Sequence, residues 1–135
     1  MSISMSELLN HKYLLEDQSD EIQANLLILL DRANKIRDAW GRPMTATSGL
    51  RTMADHLRIY AQKGITDPAK IPMKSHHLFG EAVDILDAQL ELTAWLKGDG
   101  ATIAEDIGLW FEEGNANWVH MQIVPPKSGN RWFLP

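Results

Sequence analysis

The sequence predicts a single α+β domain in which helices pack beside a small, largely antiparallel sheet. Three patterns favour this class: a long stretch with helical periodicity in the first third, an alternating strand pattern after Gly80, and a hairpin pattern before the C-terminus. The length of 135 residues and the 44% hydrophobic content suit one globular domain that covers residues 1–135.

The first helix is predicted over residues 20–39. Asp20 and Gln23 have the spacing of a capping box at its start, and Gly41 and Pro43 follow its end. Apolar residues recur along it at helical spacing, which indicates one buried face. These residues are Ile22, Leu26, Leu29, Leu30, Ala33 and Ile36.

A short strand over residues 44–48 leads to a second predicted helix. Thr52 and Asp55 have capping-box spacing, and the helix is expected to stop before Gly64. The loop 65–74 contains two prolines that disfavour a continuing helix, and it could form the wall of a cleft. The residues expected to share one face of this helix are Met53, Leu57 and Tyr60.

The strand after Gly80 has apolar and polar residues in alternation, which directs Asp84 to one face of the sheet. A short helix is predicted over residues 90–97, whereas residues 100–108 have both helical and turn-like features. Residues 109–112 and 118–124 are predicted to form a hairpin. On its second arm Val119, Met121 and Ile123 are expected to face the core, so His120 points the other way.

Composition excludes several classes of function. The formal net charge of −5 argues against a nucleic-acid-binding surface, which is normally basic. Without cysteine, neither a disulfide nor a thiolate metal site can form, so any metal must be bound through nitrogen and oxygen. No segment has the pattern of a signal peptide or a membrane span. We therefore expect a soluble protein, made in the cytoplasm, that does not bind membranes.

Two histidines and one aspartate form a candidate metal site. His77 lies in a loop, Asp84 follows on a strand, and His120 comes from the second arm of the hairpin. Zinc binds imidazole nitrogen and carboxylate oxygen, and catalytic zinc sites keep three protein ligands so that water can take a fourth position. A lone histidine is more often a structural residue, but the combined pattern favours a metal site. His76 is the alternative ligand, because a rotated loop could present it instead.

The residues around this candidate site resemble a known family of zinc peptidases. It comprises D-Ala-D-Ala carboxypeptidases, D-Ala-D-Ala dipeptidases and phage L-alanyl-D-glutamate endopeptidases. The resemblance covers most of the chain, and it implies a Hedgehog/D-Ala-D-Ala-peptidase-like fold. The matching elements, which follow the family's order, are Ser48-Gly49-Leu50-Arg51, Ser75-x-His77-x-x-Gly80-x-Ala82-x-Asp84 and Trp118-Val119-His120.

The resemblance implies a zinc-dependent enzyme that hydrolyses an amide bond in the peptide stem of bacterial peptidoglycan. It implies that His77, Asp84 and His120 bind Zn²⁺, and that Arg51 binds the developing oxyanion or a substrate carboxylate. Ser48, in the same element as Arg51, is expected to contribute to substrate binding. We expect a monomer that reaches the cell wall after lysis, through a pore, or by phage delivery.

The general base is the position at which the chain departs from much of this family. Many members have a glutamate three residues before the last histidine, where this chain has Asn117. Asparagine cannot accept a proton from water. Glu112 and Glu113 lie on the opposing arm of the predicted hairpin, and we favour Glu112 because the preceding residues resemble the phage members.

Other interpretations of the same residues stay open. The protein could be a non-catalytic, zinc-containing module that binds the wall or forms part of a virion, which the presence of Asn117 favours. The metal ligands could instead form a purely structural polar cluster, and Arg51 could be an ordinary surface arginine. The spacing does not distinguish endopeptidase from carboxypeptidase action.

Overall fold

The protein consists of five α-helices and five β-strands within residues 2–134, which are the residues that the computed structural model describes. This content confirms the α+β prediction. The helices are α1 (Met5–Leu8), α2 (Asp20–Trp40), α3 (Met53–Gln62), α4 (Glu91–Lys97) and α5 (Ala101–Ile107). The strands are β1 (Ala46–Ser48), β2 (Ala82–Leu86), β3 (Trp110–Glu112), β4 (Trp118–Gln122) and β5 (Trp132–Phe133).

The strands form one mixed sheet in the order β1-β2-β4-β3-β5. The first three pairings are antiparallel, which includes the predicted hairpin of β3 and β4. The last strand, β5, pairs in parallel with β3. The sequence does not predict this strand, because a two-residue strand has no periodicity that can be recognised. The Trp132 ring stacks on Phe111, with 4.9 Å between centroids, and anchors the strand.

The long helix α2 covers one face of the sheet. Its N-cap is Ser19, whose hydroxyl accepts a hydrogen bond from the Ile22 amide, so the predicted capping box at Asp20 does not form. Gly41 ends the helix in the left-handed conformation, as the sequence predicts. No helix in the described part of the chain combines the length and apolar character that a membrane crossing requires.

The core lies between α2 and the sheet. Val83 and Ile85 of β2, and Val119 and Met121 of β4, are at most 1% exposed and pack in the same cluster as the apolar face of α2. Burial of each such side chain contributes about 1.5–3 kcal/mol, so this pattern determines which face of each strand points inward. The alternating residues, among them Asp84, consequently lie on the opposite face.

The helix α3 begins as predicted but buries a different face. The Thr52 hydroxyl accepts a hydrogen bond from the Asp55 amide and caps the helix. The predicted apolar face is wrong, because Met53 and Leu57 are 42% and 37% exposed. The buried residue of this helix is His56, which is fully inaccessible to solvent.

The N-terminal segment holds the loop that follows β1. The Leu8 carbonyl accepts a hydrogen bond from the Leu50 amide at 2.8 Å, and Asn10 Oδ1 accepts one from the Gly49 amide at 2.7 Å. A Cβ atom at Gly49 would lie 2.2 Å from the Leu8 carbonyl oxygen. Only glycine fits this close approach, which places the Gly49 carbonyl beside the candidate site.

Asp87 is buried at the start of α4. Its carboxylate accepts hydrogen bonds from the amides of Leu92 and Thr93 and from the Thr93 hydroxyl. These are the amide groups that have no partner within a helix at its N-terminus. The side chain therefore caps α4 and has no part in the candidate site.

Candidate metal centre

The structure brings the three predicted ligands together. The register of β2 and β4 places Asp84 directly opposite His120. Asp84 Oδ1 lies 3.0 Å from His120 Nδ1 and 3.3 Å from His77 Nε2. One ligand atom from each residue lies within 4.8 Å of the other two, so this group could hold a metal ion.

His77 is positioned by a short 3-10 turn over His76–Phe79. Gly80 ends the turn with a φ of +69°, and a Cβ atom there would lie 2.9 Å from Leu26 Cγ on α2. Glycine is therefore required both by the backbone conformation and by the close packing. The His77 Nδ1–H donates to the Gly49 carbonyl at 2.9 Å, which leaves Nε2 with a lone pair that faces Asp84.

His120 is oriented by Gln122, two residues later on the same face of β4. Gln122 Nε2 donates to the Val124 carbonyl at 2.7 Å, so its Oε1 is free to accept from His120 Nε2 at 2.8 Å. This assignment of protons follows from the hydrogen-bond partners. His120 Nδ1 is then the unprotonated nitrogen, and it faces Asp84. The shared face of β4 was the sequence signal for Gln122, but no ligand role could be read from it.

The donor set fits a metal ion. The imidazole lone pairs of His77 and His120 both point toward Oδ1 of Asp84. These three atoms are all hydrogen-bond acceptors, and they repel one another unless a cation or protons lie between them. Two ligands that are each about 2.0–2.1 Å from a tetrahedral ion lie about 3.3–3.4 Å apart. The distances of 3.3 and 3.0 Å to Asp84 Oδ1 are close to this spacing.

When no metal ion is bound, the electrostatics of the cluster favour an ionised Asp84 next to a protonated His120. Burial by itself would raise the pKa of Asp84, but hydrogen bonds with His120 and His77 outweigh it and hold the pKa well below its usual range. Burial would lower the pKa of His120, yet the hydrogen bond and charge of Asp84 raise it. The same negative charge would attract a divalent cation.

His76 does not replace His77 as a ligand. Its Nδ1 atom lies 3.0 Å from Glu81 Oε1, so the side chain is engaged at the side of the site and does not approach Asp84. Rotation of the loop, which would be needed to exchange the two histidines, would also break the hydrogen bond between His77 and Gly49.

A cleft of about 470 Å³ opens at the three ligands, and Arg51 lines it. Arg51 Nη2 donates to Ser48 Oγ at 3.3 Å, and Arg51 Nη1 lies 3.5 Å from His56 Nδ1. His56 Nε2 in turn donates to the Pro72 carbonyl at 2.9 Å, which leaves Nδ1 as the acceptor for Arg51. Ser48 itself does not line the cleft, so its contact with the site passes through Arg51.

His56 could not be recognised from the sequence, because it lies next to the charged residue Asp55 and off the apolar face that the sequence predicts for α3. Burial lowers its pKa, and the positive charge of Arg51 lowers it further, although the hydrogen bond to Pro72 acts in the opposite direction. The neutral imidazole is therefore the form that holds Arg51.

Glu112 also lines the cleft, whereas Glu113 does not. The amide of Asn115, oriented to satisfy its neighbours, donates to Glu112 Oε1 and accepts from Trp118 Nε1, both at 3.2 Å. Glu113 forms an ion pair with Lys97. Asn117 is exposed and contributes its backbone carbonyl to the Asp87 amide. Of the two glutamates, Glu112 is the one that lines the cleft together with the three candidate ligands.

Comparison of the chain with protein-family models, with curated proteins and with solved structures finds no match. The geometry of the site and the motifs that place its residues are therefore what indicate a function for this protein.

Proposed function

We propose that this protein is a zinc-dependent peptidase that hydrolyses an amide bond in the peptide stem of bacterial peptidoglycan. The observation that carries the proposal is the convergence of His77, Asp84 and His120 at a cleft that also contains Arg51 and Glu112. The resemblance of the motifs to the zinc peptidases supports both the substrate class and a Hedgehog/D-Ala-D-Ala-peptidase-like fold.

Zinc is the metal that best suits the donor set. Two imidazole nitrogens and one carboxylate oxygen are common ligands of catalytic zinc, whereas Ca²⁺ and Mg²⁺ prefer sites made entirely of oxygen. When bound, zinc lowers the pKa of a water molecule toward about 7 and polarises the scissile carbonyl. His77 and His120 each donate the N–H of the ring nitrogen that faces away from Asp84 to a protein oxygen, which fixes the rings for binding.

Glu112 is proposed as the general base. Its carboxylate faces the cleft beside the ligands, where it can accept the proton of the attacking water and return it to the leaving amine. The side-chain amide of Asn115 holds one carboxylate oxygen, which leaves the other available.

Arg51 is proposed to stabilise negative charge on the substrate. The guanidinium is permanently charged, and its Nε atom is buried without a hydrogen-bond partner among the described residues. Ser48 and His56 hold the two terminal nitrogens, so the group is positioned before substrate arrives. Such a fixed donor can bind the developing oxyanion or a substrate carboxylate.

The test is digestion of defined muropeptides by the zinc-loaded protein, followed by mass analysis of the fragments. We expect one new amine terminus per cleavage, at a single type of bond in the stem. His120→Ala should abolish cleavage together with metal retention. The absence of any new amine terminus with the zinc-loaded wild-type protein would contradict the proposal.

A second candidate function is a zinc-containing module that binds the wall, or forms part of a virion, without cutting peptide. The observation that favours it is Asn117, which is exposed at the position where many of the similar peptidases have a glutamate. A pull-down with insoluble peptidoglycan distinguishes the two functions. Binding that depends on zinc but releases no fragments would support the module.

A further inference from the structure

We propose that Lys63 is a specificity-determining residue that selects peptides with a free carboxylate over peptides in which that group is a primary amide. This inference rests on the proposed function and extends it to a feature of the substrate. It depends on two observations: Lys63 is among the residues that line the cleft, with its ammonium over the Tyr60 ring, and the cations of the cleft lack acidic partners.

Lys63 is an exposed residue at the end of α3. The residue follows the helix directly, and its amide donates to the Tyr60 carbonyl at 3.0 Å. Its ammonium lies over the Tyr60 ring, 5.0 Å from the centroid, where the face of the ring attracts a cation. Both side chains line the same cleft as the metal ligands. The charge of Lys63 is therefore accessible to a ligand in the cleft.

The cations of the cleft have no acidic partner. Arg51 and Lys63 are the only arginine and lysine that line it, and no carboxylate among residues 2–134 lies within 4.0 Å of either charged group. Such an absence of acidic partners is not expected from composition, because the chain has 18 acidic and only 13 basic side chains.

The carboxylates that line the cleft interact with other groups. Asp84 contacts the two histidine ligands, and Glu112 contacts the amide of Asn115. One side of the cleft thus carries positive charge that the protein does not neutralise. A bound peptide that carried a carboxylate would supply the missing charge.

Lys63 and Arg51 are expected to bind different parts of the substrate. The Arg51 amide donates to the His77 carbonyl at 3.0 Å, so Arg51 is tied to the turn that carries a metal ligand. Lys63 lies beyond the opposite end of α3, at its C-terminus, while Arg51 directly precedes the N-cap. We therefore expect Arg51 to contact the substrate at the scissile bond and Lys63 to contact a carboxylate elsewhere on the peptide.

The experiment uses a synthetic stem peptide of peptidoglycan in two forms, one with free side carboxylates and one with primary amides in their place. For the wild-type protein we expect kcat/KM to be about 1.5- to fivefold higher for the acid, the range for an exposed ion pair. Lys63→Gln should remove this preference, and Lys63→Glu should reverse it. Raising the salt concentration should weaken the wild-type preference.

Lys35→Gln is the matched control, because it changes the net charge equally but alters an exposed lysine of α2 that pairs with Asp31. It should keep the wild-type preference. A second measurement, calorimetric binding of both peptides to metal-depleted protein, should show the same dependence on Lys63 without any cleavage.

The outcomes separate the two proposals. If the wild-type protein cleaves both peptides equally well and Lys63→Glu changes nothing, the role of Lys63 is wrong while the peptidase function stands. If neither peptide is cleaved, the peptidase function fails, and the binding measurement still decides whether Lys63 discriminates acid from amide. Equal affinity of the metal-depleted wild type for both forms would then overturn the inference.

Discussion

Asp84 and His120 face each other across β2 and β4, with Asp84 Oδ1 3.0 Å from His120 Nδ1. This relationship is a consequence of strand register. Because the side-chain period of a strand is two residues, a slip of one residue would direct His120 into the core. The buried residues Val119 and Met121 prevent that slip, so core packing and the metal site depend on the same pairing.

Replacement of His120 by alanine should abolish metal binding. The remaining pair, His77 and Asp84, supplies only two of the three ligands. In the wild-type protein, zinc at about 1,000 times its dissociation constant should stabilise the fold by about 4 kcal/mol, and chelation should remove that increment. Elemental analysis and thermal unfolding with and without chelator measure both effects. His11→Ala, at an exposed histidine, is the control and should retain zinc.

Replacement of Gln122 by alanine should weaken zinc binding without removing it. The His120 ring would lose the acceptor that fixes its tautomer, and loss of such a partner typically costs about 10- to 100-fold in metal affinity. Competition with a chromophoric chelator measures the change. An unchanged affinity would mean that strand geometry alone orients His120.

The candidate ligands could be predicted from sequence because each lies in a short motif that resembles those of the zinc peptidases and whose local pattern determines where the side chain points. Alternation along two strands determines the faces of Asp84 and His120, and Gly80 ends the turn that carries His77. Short-range patterns of this kind are visible in the residues themselves.

The residues that support the ligands could not be predicted, because their contacts join distant parts of the chain. Asn10 binds the loop at Gly49, 39 residues away, and that loop supplies the carbonyl for His77. His56 lies on α3, where Met53 and Leu57 are exposed, so the helical periodicity of apolar residues predicts the wrong buried face. Its burial is caused by Arg51 and the loop at Pro72, which no local pattern indicates.

Replacement of Glu112 by glutamine should leave zinc binding intact and lower kcat by about 10²- to 10⁴-fold, the usual contribution of a general base. Glutamine has nearly the same shape but cannot accept the proton. Glu113→Gln is the matched control, because Glu113 is paired with Lys97 outside the cleft, and it should keep wild-type kcat. Full activity of the Glu112 variant would show that another group acts as the general base.

Replacement of His56 by alanine should lower kcat/KM by about tenfold, the equivalent of one hydrogen bond of about 1.5 kcal/mol to a charged group. Arg51 would lose an acceptor, and the Pro72 carbonyl would lose its donor. His56→Gln can restore both contacts, so it should recover most of the activity. If the glutamine variant stays as impaired as the alanine variant despite an unchanged melting temperature, His56 does not position Arg51 through these bonds.

Acid should weaken the attachment of α3 to the N-terminal segment. Hydrogen bonds from Lys12 and Tyr13 lower the pKa of Asp55 to about 2. Because the pKa is lowered in the folded state, this stabilisation is present above about pH 4 and disappears as the pH falls toward 2. Lys12→Met should move the Asp55 titration, followed by NMR, to higher pH. Lys35→Met should leave that titration in place, and an unchanged curve in the Lys12 variant would refute the assignment.

The most direct measurement is anomalous diffraction at the zinc edge from crystals grown with zinc. We predict one ion about 2.0–2.2 Å from each of His77 Nε2, Asp84 Oδ1 and His120 Nδ1, the range for nitrogen and oxygen ligands. A crystal in which these three side chains point apart, with no ion between them, would contradict the metal centre and the hydrolase that depends on it.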